Sequence, residues 1–133
     1  MSKAINKIPK RGEIWLIDYN YKPKKGKERE LEIESKIKKI RPSLVVSNDA
    51  QNEFDIEIIV IPLSSQLEII RPHELLIKKN KENGLDEDSK ILFNRLRNVE
   101  KDTRLGDYRI GVVSEEIMKE VKEKLKLVLD LED

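Results

Sequence analysis

The sequence contains no cysteine, which excludes disulfide bridges, thiolate-bound zinc and cysteine nucleophiles together and suits a reducing compartment. It has one histidine, His73, and its carboxylates lack the spacing of a metal triad, so no metal and no cofactor are expected. Long apolar runs are missing too. Nothing approaches the roughly eighteen uninterrupted apolar residues of a membrane span, and residues 1–10 carry no apolar core of the kind a secretory signal needs. The expectation is a cytoplasmic protein with no membrane partner.

What is present is charge. Charged residues make up 40% of the chain and hydrophobic ones 38%, enough of the latter to fill a core beneath a surface crowded with both signs. At 133 residues the chain fits one domain, residues 1–133, and is too short for two independent cores. Net charge is only +1, yet residues 1–41 hold 13 basic and 6 acidic groups, whereas residues 42–133 hold 14 basic and 20 acidic. Such a split can give one basic face that attracts phosphates; the alternative is an ordinary solvated Lys/Glu surface.

The segment Glu13–Asp18 is branched and aromatic and follows Gly12, which predicts a first strand. Residues 20–40 dissolve into Lys, Glu, Pro23 and Gly26, predicting a long charged loop that carries a short hairpin or helical turn around 28–37. Residues 43–47 and 56–61 are rich in β-branched side chains, and the turn chemistry of 48–52 between them predicts an antiparallel hairpin. Further strands are expected over 74–77, 89–96 and 108–113, with turns at 80–87 and 100–106. From Ser114 the period becomes helical: Ile117, Val121, Leu125 and Val128 share a face, Ser114 is a natural N-cap, and Glu115 and Glu116 meet the helix dipole. About six short strands and a closing helix predict a mainly β fold with α additions, a small antiparallel barrel with a C-terminal helix.

Four stretches carry a further signal: Lys10-Arg11-Gly12-Glu13-Ile14-Trp15, Arg41-Pro42-Ser43-Leu44-Val45-Val46-Ser47-Asn48-Asp49, Ile61-Pro62-Leu63-Ser64-Ser65-Gln66 and Asp88-Ser89-Lys90-Ile91-Leu92-Phe93-Asn94-Arg95-Leu96-Arg97. In order and spacing they resemble the MazF/PemK family of toxin endoribonucleases, from residue 11 to about 131. The second stretch is the most specific. Where relatives commonly carry Gly-Ser-Glu before the Arg-Pro, this chain has Glu34-Ser35-Lys36, and its 20–40 loop is longer and more charged than is usual in the family.

The resemblance implies an SH3-like barrel that forms a homodimer and binds a cognate antitoxin protein. The implied activity is metal-independent, sequence-selective cutting of single-stranded RNA, with mRNA as target. RNA supplies its own nucleophile, the 2′-OH, so an enzyme need only align it with the phosphate and stabilise the developing charge, leaving a 2′,3′-cyclic phosphate and a 5′-OH. Arg41 is the first candidate, because a guanidinium forks onto two phosphate oxygens; the resemblance also implies acid or base work for it, which its high intrinsic pKa makes awkward. Ser64 is the second, offering a hydroxyl beside the phosphate where the family commonly has threonine; the alternative is a strand-end serine satisfying its own turn. His73 is a rival base, since imidazole is the side chain that titrates near neutrality. Lys36, Lys38, Lys39, Ser65, Gln66, His73, Ser89 and Arg95 are the candidate RNA contacts. Two other readings stay open: a non-catalytic SH3-like binding module, and a gyrase poison of the Ccd type, neither of which needs the Arg-Pro and strand-end hydroxyl pairing.

Overall fold

The computed structural model describes residues 8–19 and 40–132. Among these, seven strands and three helices follow in the order β1 (Glu13–Asp18), β2 (Ile40–Val45), α1 (Asp49–Phe54), β3 (Glu57–Ser64), β4 (Glu74–Ile77), β5 (Ser89–Leu92), β6 (Arg97–Glu100), α2 (Lys101–Arg104), β7 (Leu105–Val112) and α3 (Glu115–Leu129). All pairings are antiparallel, and the sheet runs β4-β5-β3-β2-β1-β7 with β6 added against β3. The mainly β class with α additions is as expected, but the sheet does not close, so "barrel" describes its curl rather than a continuous ladder.

Three expectations are corrected locally. The link between β2 and β3 is helix α1 and not a simple turn, because Asn48 uses its side chain as an N-cap: its Oδ1 accepts from Gln51 N at 2.8 Å. Buried Lys101 closes the other end, its Nζ donating to the carbonyls of Asn52 at 2.6 Å and Glu53 at 3.0 Å. The expected strand over 89–96 stops at Leu92, where a 3₁₀ turn, Phe93–Arg95, leads into β6. The expected turn over 100–106 holds α2 and the start of β7. The short hairpin or turn around 28–37 lies outside the described residues.

Period-2 alternation gives the sheet two faces. On one, Ile14, Leu44, Ile61, Leu63 and Ile91 are buried under α3, which lays Val121 and the partly buried Ile117, Leu125 and Val128 against them. That helix starts as its sequence demands, with Ser114 Oγ accepting from Ile117 N at 3.1 Å, and ends on Asp130 in the left-handed region at φ 55°. On the other face Trp15, Ile17, Val45, Ile58, Val60 and Val99 form a second cluster, with Tyr19 packed against it.

β3 is the hinge of the architecture. Its first half, Glu57 to Val60, pairs with β6, while Leu63 and Ser64 pair with β5. The pairing skips Ile61 and Pro62, and there the 3₁₀ turn carries Asn94 and Arg95 away from the ladder. Pro62 has no N–H to give, so an interrupted ladder suits it.

Candidate active site

The second face changes character along its length. Along β1 the series Trp15, Ile17 runs on, one residue past the strand, to the phenol of Tyr19; in β2 Val45, Ser43, Arg41 ends in a guanidinium; in β3 Ile58, Val60, Pro62, Ser64 ends in a hydroxyl. In β6 Arg97 follows Val99 in the same direction. Because the strands are antiparallel, all four polar ends meet, and between them lies a cavity of about 550 Å³ lined by Tyr19, Arg41, Pro62, Ser64 and Arg97. Its wall also includes Gln66 and Arg71 from the loop after β3, Glu74 from β4, Lys90 from β5 and Arg95 from the 3₁₀ turn.

Arg41 and Ser64 lie at neighbouring strand ends. The β2–β3 register pairs Val45 with Val60, Leu44 with Ile61 and Ser43 with Pro62; Arg41 and Ser64 lie two residues beyond the last of these pairs, and both line the cavity. Ser64 Oγ accepts from Gln66 N at 3.1 Å, the local turn expected of a strand-end serine. Satisfying that turn uses the oxygen as an acceptor and leaves the hydroxyl able to donate outward.

Tyr19 was not singled out by the sequence. Its hydroxyl lies 2.6 Å from Ser43 Oγ, and Ser43 Oγ in turn lies 3.3 Å from the Arg41 carbonyl oxygen. The Arg97 guanidinium sits over the phenol ring at 5.3 Å from its centroid, a cation–π contact that holds Arg97 at the cavity. Burial pushes the Tyr19 phenol up to about 12, against the opposing pull of the Ser43 hydrogen bond and the positive charges of Arg97, Arg41 and Arg104.

The cavity floor holds a buried ion pair that the sequence likewise did not reveal. Lys90 Nζ lies 3.1 Å from Glu74 Oε1 and donates to the Ile69 carbonyl at 2.6 Å. Glu74 also accepts from Arg71 N at 2.9 Å, with the Arg71 guanidinium 3.8 Å away. Burial on its own would raise the Glu74 carboxyl, but the Arg71 amide, the Lys90 ammonium and the Arg71 charge outweigh it and hold the group below the usual carboxylate range. With Lys90 and Arg71 both facing Glu74, the charge left to the wall comes from Arg41, Arg95 and Arg97, the side-chain type suited to phosphate.

A second cavity, of about 410 Å³, shares Arg41 and Ser64 with the first. It is lined by Leu16, Pro42, Leu63 and Ile110, with Ser65, Ser89, Asp86 and Glu87 at its edge. Gly84 fixes the turn that delivers these acids: its φ is +67°, and a Cβ there would stand 2.2 Å from the Ile110 carbonyl oxygen. Ser89 is buried and its Oγ donates to the Glu87 carbonyl at 2.9 Å.

The expected site residues therefore divide. Arg41, Ser64, Gln66 and Arg95 share the first cavity, and Ser65 and Ser89 line the second. His73 lines neither; it precedes β4 in a loop that α3 tethers through Lys124 Nζ and the Pro72 carbonyl, and its Nε2 is buried with no hydrogen-bond partner among the described residues. Lys36, Lys38 and Lys39 lie outside the described residues. Among the described residues no group of three or more His, Cys, Asp or Glu side chains is arranged to hold a metal, and no helix is long and apolar enough to cross a membrane.

Fold and site together define a small, curled antiparallel-sheet protein with an arginine-walled cavity at the polar end of one face. Residues 10–129 match the family of PemK-like, MazF-like toxins of type II toxin–antitoxin systems, and the chain belongs to this family of toxin endoribonucleases. Solved structures share the fold. A mycobacterial endoribonuclease in complex with its cognate antitoxin is 20% identical with a TM-score of 0.68, covering 96% of this chain and 99% of its own. The MazF of a MazE–MazF complex from Deinococcus radiodurans is 17% identical with a TM-score of 0.67, over 96% and 100% of the two chains. A MazF toxin of Mycobacterium tuberculosis is 16% identical with a TM-score of 0.67, over 91% and 99%.

Proposed function

We propose that the chain is a metal-independent, sequence-selective endoribonuclease that cuts single-stranded RNA, with Arg41 and Ser64 at the scissile phosphate. One observation carries the reading: Arg41 and Ser64, each two residues past the last β2–β3 pair, line one cavity walled by further arginines. The 2′-oxygen attacks phosphorus, the P–O5′ bond breaks, and the ends are a 2′,3′-cyclic phosphate and a 5′-OH. Arg41 forks onto the two non-bridging oxygens, whose charge grows in the transition state, and Ser64 donates its proton to the same group. Arg95 and Arg97 neutralise neighbouring phosphates, with Gln66 on the backbone beside them.

Selectivity belongs to the second cavity, whose apolar walls suit a base and whose Asp86, Glu87, Ser65 and Ser89 supply polar groups for its edge. Lys36, Lys38 and Lys39 steer RNA towards Arg41. The working molecule is a cytoplasmic homodimer, and a cognate antitoxin competes with RNA for it. Support for the last point is that both the mycobacterial endoribonuclease and the Deinococcus MazF form complexes with an antitoxin.

The test is incubation of purified protein with a long defined RNA in EDTA, followed by mapping of the 5′ ends and analysis of the termini. Cuts at one short motif with 5′-OH and cyclic-phosphate ends are expected, with DNA untouched. Products bearing 3′-OH ends, a strict magnesium requirement, or no cutting at all would remove the mechanism, and in the last case leave a binding protein.

A further inference from the structure

We propose that Tyr19 is the general acid of the cleavage step, its hydroxyl giving a proton to the 5′-oxygen as the P–O5′ bond breaks. The proposal rests on the endoribonuclease reading above. Internal attack by the 2′-oxygen expels an alkoxide, a strongly basic leaving group, so the step gains most from a proton delivered to that oxygen.

The cavity offers few donors for the task. Arg41 is engaged with the non-bridging oxygens, and losing its proton would remove the charge that stabilises the transition state. Lys90 is committed to Glu74 and to the Ile69 carbonyl, and deprotonating it would leave Glu74 as an unpaired buried anion. Ser64 is a far weaker acid than a phenol, and His73 lines neither cavity.

Tyr19 meets the requirement from several sides. It follows β1 on the same face as Arg41 and Ser64 and lines the cavity with them. The Ser43 hydroxyl at 2.6 Å fixes the phenolic oxygen: Ser43 gives its own proton to the Arg41 carbonyl, so the phenol O–H rests on Ser43 Oγ and is passed to O5′ as the P–O5′ bond breaks. Burial, which raises the phenol to about 12, keeps it protonated across the neutral range, while the neighbouring Arg97, Arg41 and Arg104 charges stabilise the phenolate left behind. An alkoxide is more basic than a phenolate, so the transfer runs downhill.

The atoms balance. The O2′–P bond forms and the 2′-OH proton passes to solvent; the P–O5′ bond breaks with its electron pair on O5′, which takes the Tyr19 proton; the phenolate regains a proton from solvent. No net proton is gained or lost by the protein.

Tyr19→Phe isolates the hydroxyl, because the ring remains beneath the Arg97 guanidinium. Single-turnover cleavage is compared on two RNAs that differ in one atom: ordinary oxygen, or sulfur, at the bridging 5′ position of the mapped cut site. A thiolate leaves without a proton. Tyr19→Phe should slow the oxygen substrate on the order of a hundredfold while cutting the sulfur substrate within a few-fold of the wild-type rate. Equal losses on both substrates, or no loss on the oxygen substrate, overturn the proposal. Wild-type protein that leaves both RNAs intact overturns the endoribonuclease reading itself, and the Tyr19 role with it. If circular dichroism shows Tyr19→Phe to be misfolded, Tyr19→3-fluorotyrosine keeps the hydroxyl and lowers its pKa; it should speed the oxygen substrate alone, and an unchanged rate there overturns the proposal.

Discussion

The two faces of the sheet begin alike and end differently. Under α3, the apolar series through Ile14, Leu44, Ile61, Leu63 and Ile91 is closed over by Val121 and its neighbours. On the opposite face Ile17, Val45, Val60 and Val99 are just as apolar, but the next positions along the strands are Tyr19, Ser43, Pro62 and Arg97, with Arg41 and Ser64 beyond. A small fold thereby makes a site without extra elements. One face supplies the burial that holds the strands rigid, and the other gives its last residues to polar groups that the same registers align.

The largest way to break this contrast is at Arg41. Arg41→Ala should lower single-turnover RNA cleavage on the order of a hundredfold to a thousandfold while circular dichroism stays unchanged, because the side chain is exposed at the cavity rim and supports no core packing. Arg41→Lys should not rescue it, since an ammonium lacks the two-pronged fork. Ser64→Ala should fall between wild type and Arg41→Ala. Near wild-type cleavage by Arg41→Ala would take the site away from the β2–β3 pair altogether.

Next in size is the buried pair beneath the cavity. Glu74→Gln strands the Lys90 ammonium, whose side chain is only 8% exposed, and should destabilise the fold by about 3–5 kcal/mol in urea titration. Replacing both, Glu74→Leu with Lys90→Met, should recover most of that stability while weakening RNA binding. The sign of the pH effect follows from the lowered folded-state pKa of Glu74: its contribution is present above the ordinary glutamate value of about 4.3 and is lost as pH falls through the folded value. Wild-type stability should therefore decline in acid more steeply than that of the double variant.

A smaller effect sharpens the contrast from outside the described residues. Alanine at Lys36, Lys38 and Lys39 together should weaken RNA binding and flatten its log–log salt dependence by roughly 0.7 for each phosphate no longer neutralised, with the saturated rate nearly intact. An unchanged salt slope would assign those lysines to solvent.

How much of this can be read from the chain depends on how local each signal is. Strand periodicity and the Ser114 cap are written within a few residues, so β1 and α3 fall where the pattern puts them, while β2 (Ile40–Val45 against an expected 43–47) and β3 (Glu57–Ser64 against 56–61) are shifted by up to about three residues at their ends. The Arg41-to-Asp49 motif is legible as a unit but not in its division of labour. Arg41 faces the cavity, whereas Asn48 caps α1 and Asp49 Oδ1 accepts from Arg11 N at 2.8 Å, so its second half is structural. The same Asn-Asp chemistry serves a turn or an N-cap, which is why the residues of α1 look like a turn in the sequence. Tyr19, Arg97 and the Glu74–Lys90 pair escape a sequence reading for another reason. Each acts through a partner fixed by sheet register, as Tyr19 does with Ser43 24 residues away, and no short sequence window contains both.

The smallest expected effect belongs to His73, and it tests whether proximity or residue type decides the chemistry. Imidazole suits proton transfer near neutrality, so by type alone His73 is the natural base. By position it is not, because a general base must come within hydrogen-bond reach of the proton it takes, and His73 lines neither cavity. Its loop is tied to the α3 side of the molecule by Lys124 on the Pro72 carbonyl, and its buried Nε2 meets no partner among the described residues, so truncation removes no hydrogen bond at that atom. His73→Ala should therefore change single-turnover cleavage by no more than about threefold, the scale of a local packing change rather than of a lost general base, whose removal is typically worth about a hundredfold or more. The measurement is the rate against pH, from about 6 to 9, for wild type and variant on the same RNA. Parallel profiles keep the proton chemistry on the open face of the sheet. A wild-type limb near neutrality that disappears in His73→Ala would show that the loop swings into the cavity when RNA binds, and would move base catalysis from solvent to the histidine.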